Sequence, residues 1–382
     1  MMVTKNIKMK ICHFADAADI HTQLWVTYFA NKKHEMHLIS FRPLSQNLKN
    51  VHSHLLKKFD TRINFLNYLI NSFLILRQVK RLLKEIKPNI IHGHSIIGHT
   101  IIAALTGFHP FVVSTWGSDV LIYPKESIVM RHAVPFVLKK ADLIISDGEN
   151  TKKAMIQMGA KREKIKILTY GRDTKKFNPS CRDNKLREEL EIFNSPAVIS
   201  TRRLGHVHNV ETLVKAIPPI LKEIPDTKFI IIGKGEQKEY LMDLAKHLNV
   251  FEVIRFLGEV PNDEMPSYLA SSDVYVSTSL SDSGLAGSTA EAMACGLAVV
   301  ITDSGDNKKW VKDGEGGFIV PVKNHEMLAE KIIFLLKNKD MRLKFGKINR
   351  KIIEEKYDYY KQMAKMENIY KELTEHKYKY DR

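Results

Sequence analysis

The sequence predicts an α/β protein built as two doubly wound domains facing a cleft. Three observations carry this expectation. The chain has 382 residues, and single hydrophobic cores stop growing at roughly 250–300 residues. Short apolar, β-rich runs alternate with helical patterns along its whole length, the signature of parallel sheets wrapped by helices. A polar stretch with no apolar period separates two such series.

In the first series, strands are expected over 9–14, 36–41, 89–93, 111–115, 143–146 and 165–168. Helical patterns lie between them, as at 22–30, 64–86 and 151–158. The second series places strands over 197–201, 228–232, 253–257, 274–277, 298–302 and 318–320, with helical patterns at 210–224, 237–248 and 288–295. Residues 325–376 are helical in pattern and highly charged. The expected organisation is a domain over 1–172, a linker over 173–194, a second domain over 195–355, and a C-terminal helix and tail over 356–382. Ligands of such sheets bind at the carboxyl ends of strands.

Composition narrows the function classes. Cys12, Cys181 and Cys295 are odd in number and scattered, so they offer neither a disulfide framework nor metal-ligand spacing, which suits a reducing cytosol. No signal peptide is expected at the N-terminus, where Lys5, Lys8 and Lys10 lead into a short strand-like run. No stretch reaches the ~18–20 apolar residues of a membrane span. The net charge of +16 is uneven: residues 1–172 hold 26 Lys and Arg against 11 Asp and Glu, and residues 173–382 hold 33 against 32. The basic half attracts an anionic partner. No reader motif accompanies it, so nucleic acid is set aside.

The strongest chemical signal is Ser279-Leu-Ser-Asp-Ser-Gly-Leu-Ala-Gly-Ser-Thr-Ala-Glu-Ala-Met-Ala-Cys-Gly296, followed by an apolar strand. It reads as a strand end, a small-residue loop and a helix start. Ser283, Gly284, Leu285 and Ala286 can offer backbone N–H groups beside the positive end of a helix. Glu291, inside that helix, can accept both hydroxyls of a ribose.

This stretch resembles the signature of glycosyltransferase family 4, the retaining GT-B enzymes, which read roughly Glu-Gly-Phe-Gly-x-x-x-x-Glu-Ala-Met-Ala-Cys-Gly. Further matching pieces are Ser114-Thr-Trp-Gly-Ser-Asp119, Tyr170-Gly-Arg-Asp-Thr-Lys-Lys-Phe177, Arg203-Leu204, Ile231-Ile-Gly-Lys-Gly-Glu236 and Phe256-Leu-Gly-Glu-Val-Pro261. The resemblance spans nearly the whole chain. It implies two Rossmann-like domains, with the last helix crossing back to the N-terminal one. By the same resemblance Glu291 holds the donor ribose, and Asp282 to Ala286 face the donor sugar and diphosphate. Gly233 and Gly235 permit close packing near the nucleotide, and the Gly258 to Val260 backbone lies against the base. Trp116, Gly117, Ser118 and Asp119 lie on the acceptor side.

Three departures stand out. The family's first Glu falls on Ser283, with the acidic Asp282 displaced by one position. The family pairs an Arg with a Lys five residues on; here Arg203 is followed by His208, with Arg202 as a substitute charge. A His that many members place before Gly-x-Asp is Trp116. The implied chemistry is a same-face attack, the donor phosphate taking the acceptor proton, with Arg203, Asp119 and Asp282 as catalytic candidates. Positive groups and aligned N–H donors would stabilise the leaving diphosphate. No Asp-x-Asp occurs in the sequence, so no metal or cofactor is expected beyond the nucleotide diphosphate sugar.

His92 and His94, at i and i+2 on one strand, share a face; they read as cleft-lining or structural, with His99 as a conceivable third metal ligand. His21, after Asp16-Ala-Ala-Asp19, lies at a turn suited to acceptor contact. Residues 49–87 carry nine Lys and Arg interleaved with Phe59, Phe65, Leu66, Leu69, Phe73 and Leu76, a pattern of membrane-surface helices. The expected protein is therefore a cytoplasmic glycosyltransferase, peripheral on the inner face of the cell membrane. It would glycosylate a lipid-linked or surface-glycan precursor in polysaccharide, lipopolysaccharide or capsule biosynthesis. A nucleotide-sugar epimerase of the same fold and a catalytically silent donor-binding subunit are the alternatives.

Overall fold

A computed structural model describes residues 8–44, 47–57 and 65–380. It divides into two compact units, Met1–Thr169 with Gln362–Arg382, and Tyr170–Lys361.

The first unit is a seven-stranded parallel sheet of β1 (Lys10–Phe14), β2 (Glu35–Ser40), β3 (Val51–Leu55), β4 (Ile90–His94), β5 (Phe111–Ser114), β6 (Leu143–Ser146) and β7 (Ile165–Ile167). Their spatial order is β3-β2-β1-β4-β5-β6-β7. Central strands β5 and β6 are buried throughout and read as near-continuous apolar runs; β4 is equally buried but carries His92 and His94. The chain reverses direction across the sheet between β1 and β4, so the topological switch point lies at their carboxyl ends.

Edge strand β3 was not expected. Its sequence, Val-His-Ser-His-Leu, is half polar and mostly exposed, so it lacks the apolar run that marks a buried strand. The helix Phe65–Ile86 turns Ile75, Val79, Leu83 and Ile86 into the core, a spacing that lines one helical face. Arg77, Lys80, Arg81 and Lys84 point outward. Most of its described apolar face is therefore spent on the sheet; the cationic face meets solvent, and so does Phe73, 63% exposed. Lys58 and Phe59 lie outside the described residues, as do the side chains of Phe65, Leu66 and Leu69.

The second unit has six parallel strands: β8 (Ala197–Ser200), β9 (Lys228–Ile232), β10 (Ile254–Gly258), β11 (Val274–Ser277), β12 (Ala298–Thr302) and β13 (Gly317–Val320). Their order is β10-β9-β8-β11-β12-β13, placing the switch point between β8 and β11. The segment 173–194, expected as a linker, is part of this unit's core. Phe177, Leu190 and Ile192 are buried there. Its polar character has a physical use: Arg187, 5% exposed, donates to the carbonyls of Ser271, Ile192 and Ser195.

Three helices follow, His325–Lys337, Lys339–Lys356 and Tyr359–Tyr380. The last returns residues 362 onward to the first unit, where Met363, Met366 and Tyr370 are fully buried. Tyr370 joins a polar chain inside that core. Its hydroxyl hydrogen-bonds His92 Nδ1 and lies 3.3 Å from His13 Nε2. His92 Nε2 is 2.8 Å from Ser114 Oγ, and His94 Nε2 is 3.2 Å from His13 Nδ1. Burial pushes all three imidazoles down, His13 to about 3, so each is neutral at pH 7. Burial also drives the Tyr370 phenol well up.

A histidine that stays neutral when folded but titrates normally when unfolded contributes stability above its unfolded pKa near 6.5, lost as pH falls below it. Each loses about 1.4 kcal/mol per pH unit. Chemical denaturation at pH 7.5 and 5.5 is expected to show a drop of roughly 4 kcal/mol from these three residues. His13→Asn should reduce the pH slope by one proton.

Candidate active site

At the carboxyl end of β9 the chain passes under the end of β8 with no room for side chains. Gly233 has φ +148°, and a Cβ there would lie 2.4 Å from the Arg202 carbonyl oxygen. At Gly235 a Cβ would lie 2.1 Å from the Leu204 carbonyl oxygen. The Gly233 N–H donates to the Gly258 carbonyl at 2.7 Å, drawing the ends of β9 and β10 together. Val260 packs against the core just beyond.

The residue after β8's turn, Arg202, is 8% exposed. Its Nη2 is 2.6 Å from Asp282 Oδ1 and 3.0 Å from His208 Nδ1, and its Nη1 donates to Ser288 Oγ at 3.0 Å. Asp282 Oδ2 accepts from Ser304 at 3.3 Å. Both predicted roles change. Asp282, expected to face the sugar, is the counter-ion of Arg202, and Arg202 is no spare charge. Nor does His208 supply one: burial, then the nearby Arg202 and Arg203, push it to about 4, so it is neutral at pH 7. Arg203 is exposed and remains as the available cation at this strand end.

The loop after β11 is fixed through its carbonyls. Gly284 O accepts from the Asp306 N–H at 3.1 Å, and Leu285 O from the Tyr357 hydroxyl at 3.2 Å. Gly284 adopts φ +57°. The N–H groups of Leu285 and Ala286 donate to no backbone carbonyl among the described residues, and both precede the helix Gly287–Ala294. The Ser283 hydroxyl is buried with no partner among those residues. Glu291 lies one turn into the helix, its side chain 18% exposed, with Oε1 2.9 Å from Arg172 Nε. Burial raises its carboxyl pKa and Arg172 opposes the rise. No pattern in the sequence hints at this pairing, because 119 residues separate the partners; the small Gly287 beside them is its one local trace.

In the first unit, Asp119 is 1% exposed. Its carboxylate accepts from the Ile96 N–H at 2.8 Å and the Trp116 N–H at 3.0 Å, lashing the loops after β4 and β5 together. Burial raises its pKa against those bonds. It therefore positions loops, where a catalytic role had been expected. Gly117 turns the chain at φ +97° and leaves Ser118 exposed. The Trp116 and His21 rings meet edge to face, centroids 5.9 Å apart, so these two acceptor-side candidates do share one surface at the strand ends. His94 is instead buried inside the sheet. His13, His92 and His94 bring ligand atoms within 4.8 Å of one another. That is a donor set a metal could use, but the third member is His13. His99 accepts from the Phe41 N–H.

A family model described as "Glycosyl transferases group 1" matches residues 182–352, and one described as "Glycosyl transferase 4-like" matches residues 10–148. The chain belongs to the group 1 glycosyltransferase family, and its two parallel-sheet units have the GT-B fold. An uncharacterized glycosyltransferase of Methanocaldococcus jannaschii is 26% identical over 240 residues, 62% of this chain and 60% of that protein. A GDP-mannose-dependent alpha-(1-6)-phosphatidylinositol monomannoside mannosyltransferase of Mycolicibacterium smegmatis is 29% identical over 229 residues, 57% of this chain and 59% of that protein. The matched stretch thus spans about three fifths of these relatives' length. The crystal structure of Anabaena HepE in complex with UDP-glucose shares the fold at TM-score 0.81 and 20% identity, covering 96% of this chain and 100% of that one.

Removing one member of a buried ion pair strands the other charge. Asp282→Ala is expected to destabilise the second unit by about 3–5 kcal/mol, measured by urea unfolding. An unchanged midpoint with lost activity would instead return Asp282 to a substrate-facing role.

Proposed function

We propose that the protein is a retaining glycosyltransferase that moves a sugar from a nucleotide diphosphate sugar to a lipid-linked or surface-glycan acceptor. The observation that carries this reading is the arrangement at the β8 and β11 ends. Arg203, the uncommitted N–H groups of Leu285 and Ala286, and Glu291 all belong to the switch point of one sheet. The names of the relatives agree with it: one is described as using GDP-mannose, and another was crystallised with UDP-glucose.

In this mechanism Glu291 takes the ribose and the base lies along Gly258 and Val260. Arg203 and the loop N–H groups stabilise charge as it develops on the leaving diphosphate. Fixed donors in such a site need no reorganisation during reaction, which makes them effective. The acceptor hydroxyl attacks on the face the diphosphate leaves, passing its proton to a donor phosphate oxygen. The donor is a co-substrate, and no further cofactor is invoked.

A phosphorylated or membrane-borne acceptor suits the first unit. Arg77, Lys80, Arg81 and Lys84 form an outward cationic face. Elsewhere on this unit, Ile128 is 74% and Val129 68% exposed, next to Arg131 and His132. No helix among the described residues is long and apolar enough to cross a membrane. Attachment would then be chiefly electrostatic, worth about 1 kcal/mol per cation near an anionic surface, with the exposed Phe73 the apolar residue of the described helix left to join it.

A screen of nucleotide diphosphate sugars by thermal denaturation tests the donor reading. A ligand at 100 times its Kd contributes about 2.7 kcal/mol, a Tm rise of roughly 5–10 °C. Silence across UDP-, GDP-, ADP- and dTDP-sugars would end it. For the membrane reading, replacing Arg77, Lys80 and Lys84 with Glu should release the protein from anionic vesicles in a salt-dependent manner. Persistent binding at equal salt would remove that helix from the interface.

A further inference from the structure

We propose that Arg172 is a positioning residue of the nucleotide site: it holds Glu291 ionised and aimed at the ribose hydroxyls of a nucleoside diphosphate. This rests on the assignment of Glu291 to the ribose.

Glu291 faces a physical conflict. To accept two hydroxyl hydrogen bonds it should be a carboxylate, yet its largely buried position favours the neutral acid. A protonated carboxyl loses acceptor capacity and becomes a donor. Arg172 resolves the conflict, because a guanidinium is protonated at any relevant pH. Its Nε lies 2.9 Å from Oε1. Oε2 has no partner among the described residues, and is the oxygen left for a ligand.

The seat for the guanidinium is built from both sides. Gly287 and Glu291 are four residues apart on one helix, so they share a face. A Cβ on Gly287 would fall 1.7 Å from Arg172 Nη2, so the missing side chain is the space the guanidinium occupies. On the other side, the Arg172 N–H donates to Tyr357 O at 2.7 Å, and the Tyr359 N–H donates to Arg172 O at 2.9 Å. Thr174 Oγ1 donates to Asp358 Oδ2 at 2.7 Å in the same clasp. Arg172 Nη1 is turned back onto the Gly171 carbonyl at 2.8 Å. A cation at the first turn of a helix opposes the helix dipole, so helix stability alone does not account for this placement. Compensation comes from Glu291.

The sign of the pH effect follows. Without the guanidinium, only the more weakly acting Lys176 and Arg202 oppose burial, and Glu291 takes up its proton at higher pH. Ribonucleotide affinity should then fall as pH is lowered and recover as it rises.

Calorimetric titration with UDP and GDP, and with their 2′,3′-dideoxy forms, between pH 6.5 and 8.5 tests this on the intact protein. For Arg172→Met the better ribonucleotide should bind about 10–100-fold more weakly at pH 6.5 and recover most of the loss by pH 8.5. The dideoxy form should be little affected. Gly287→Ala keeps the arginine but fills its seat, and should reproduce the effect; Arg172→Lys should restore part of it. Equal weakening for ribo- and dideoxy forms with no pH dependence would make Arg172 merely structural, and an unchanged Kd would overturn the proposal outright. Glu291→Gln run in parallel separates the two levels: if it leaves ribonucleotide binding intact, the ribose assignment fails whatever Arg172 does.

Discussion

The polar end of the second unit is organised around the Arg202–Asp282 ion pair. The two side chains are 9% and 7% exposed and meet at 2.6 Å. Two charges withdrawn from water at this depth are tolerable only with close pairing and further hydrogen bonds. Ser288, Ser304 and His208 supply them. The pair ties the end of β8 to the loop after β11, the two strands flanking the switch point. The Arg202 main chain is held as well, since Gly233 presses directly under its carbonyl. What the loop can offer a ligand follows from what this pair has consumed. His208 is kept neutral by burial and by neighbouring arginines, so usable positive charge falls to Arg203 and the loop N–H groups.

The first unit buries polar groups by the opposite means. His13, His92, His94, Ser114 and Tyr370 sit inside the sheet without a formal charge among them. Each neutral imidazole carries one N–H, so a single ordered chain runs from Ser114 through His92 and Tyr370 to His13 and His94, each link having one donor and one acceptor. Only His94 Nδ1 lies beyond it. Because Tyr370 is the middle link, the chain also fastens the C-terminal helix to β1 and β4. A charged version of this cluster would need a counter-ion, and no described carboxylate acts on the three histidines; Trp25 and Phe29 form the walls.

The sequence shows most of the strands, because parallel strands buried on both faces are short and mainly apolar, even where a core histidine interrupts them as in β1 and β4. β3 escaped for the converse reason: an edge strand exposed on one side can be Val-His-Ser-His-Leu. The segment 173–194 read as a linker because Arg187 does with a guanidinium what a core residue does with a hydrocarbon, satisfying carbonyls that would otherwise be buried unpaired. Gly233 and Gly235 were legible as close-packing positions, since only glycine fits under a carbonyl. The partners of Asp119, Asp282 and Glu291 were not. A carboxylate's residue type states that it accepts hydrogen bonds, but whether it accepts them from a substrate or from the protein depends on contacts made across dozens of residues of chain.

That distinction bears on the sugar end of the site, where Ser283 stands in place of the family's Glu. Asp282 is adjacent in sequence, and swinging it toward a sugar would restore a carboxylate. It would also leave Arg202 buried without its counter-ion, a loss of several kcal/mol that a carboxylate–hydroxyl hydrogen bond to a sugar, worth about 1.5–3 kcal/mol, does not recover by itself. Gly305, at φ +58°, lies against the Asp282 carbonyl, where a Cβ would come within 2.6 Å, so the main chain resists the movement too. Among the described residues, the groups here without a protein partner are the buried Ser283 hydroxyl and the loop N–H groups, all neutral. A hydroxyl both donates and accepts, whereas a carboxylate only accepts. Ser283 can therefore donate at this position, which the family's usual Glu cannot do as a carboxylate.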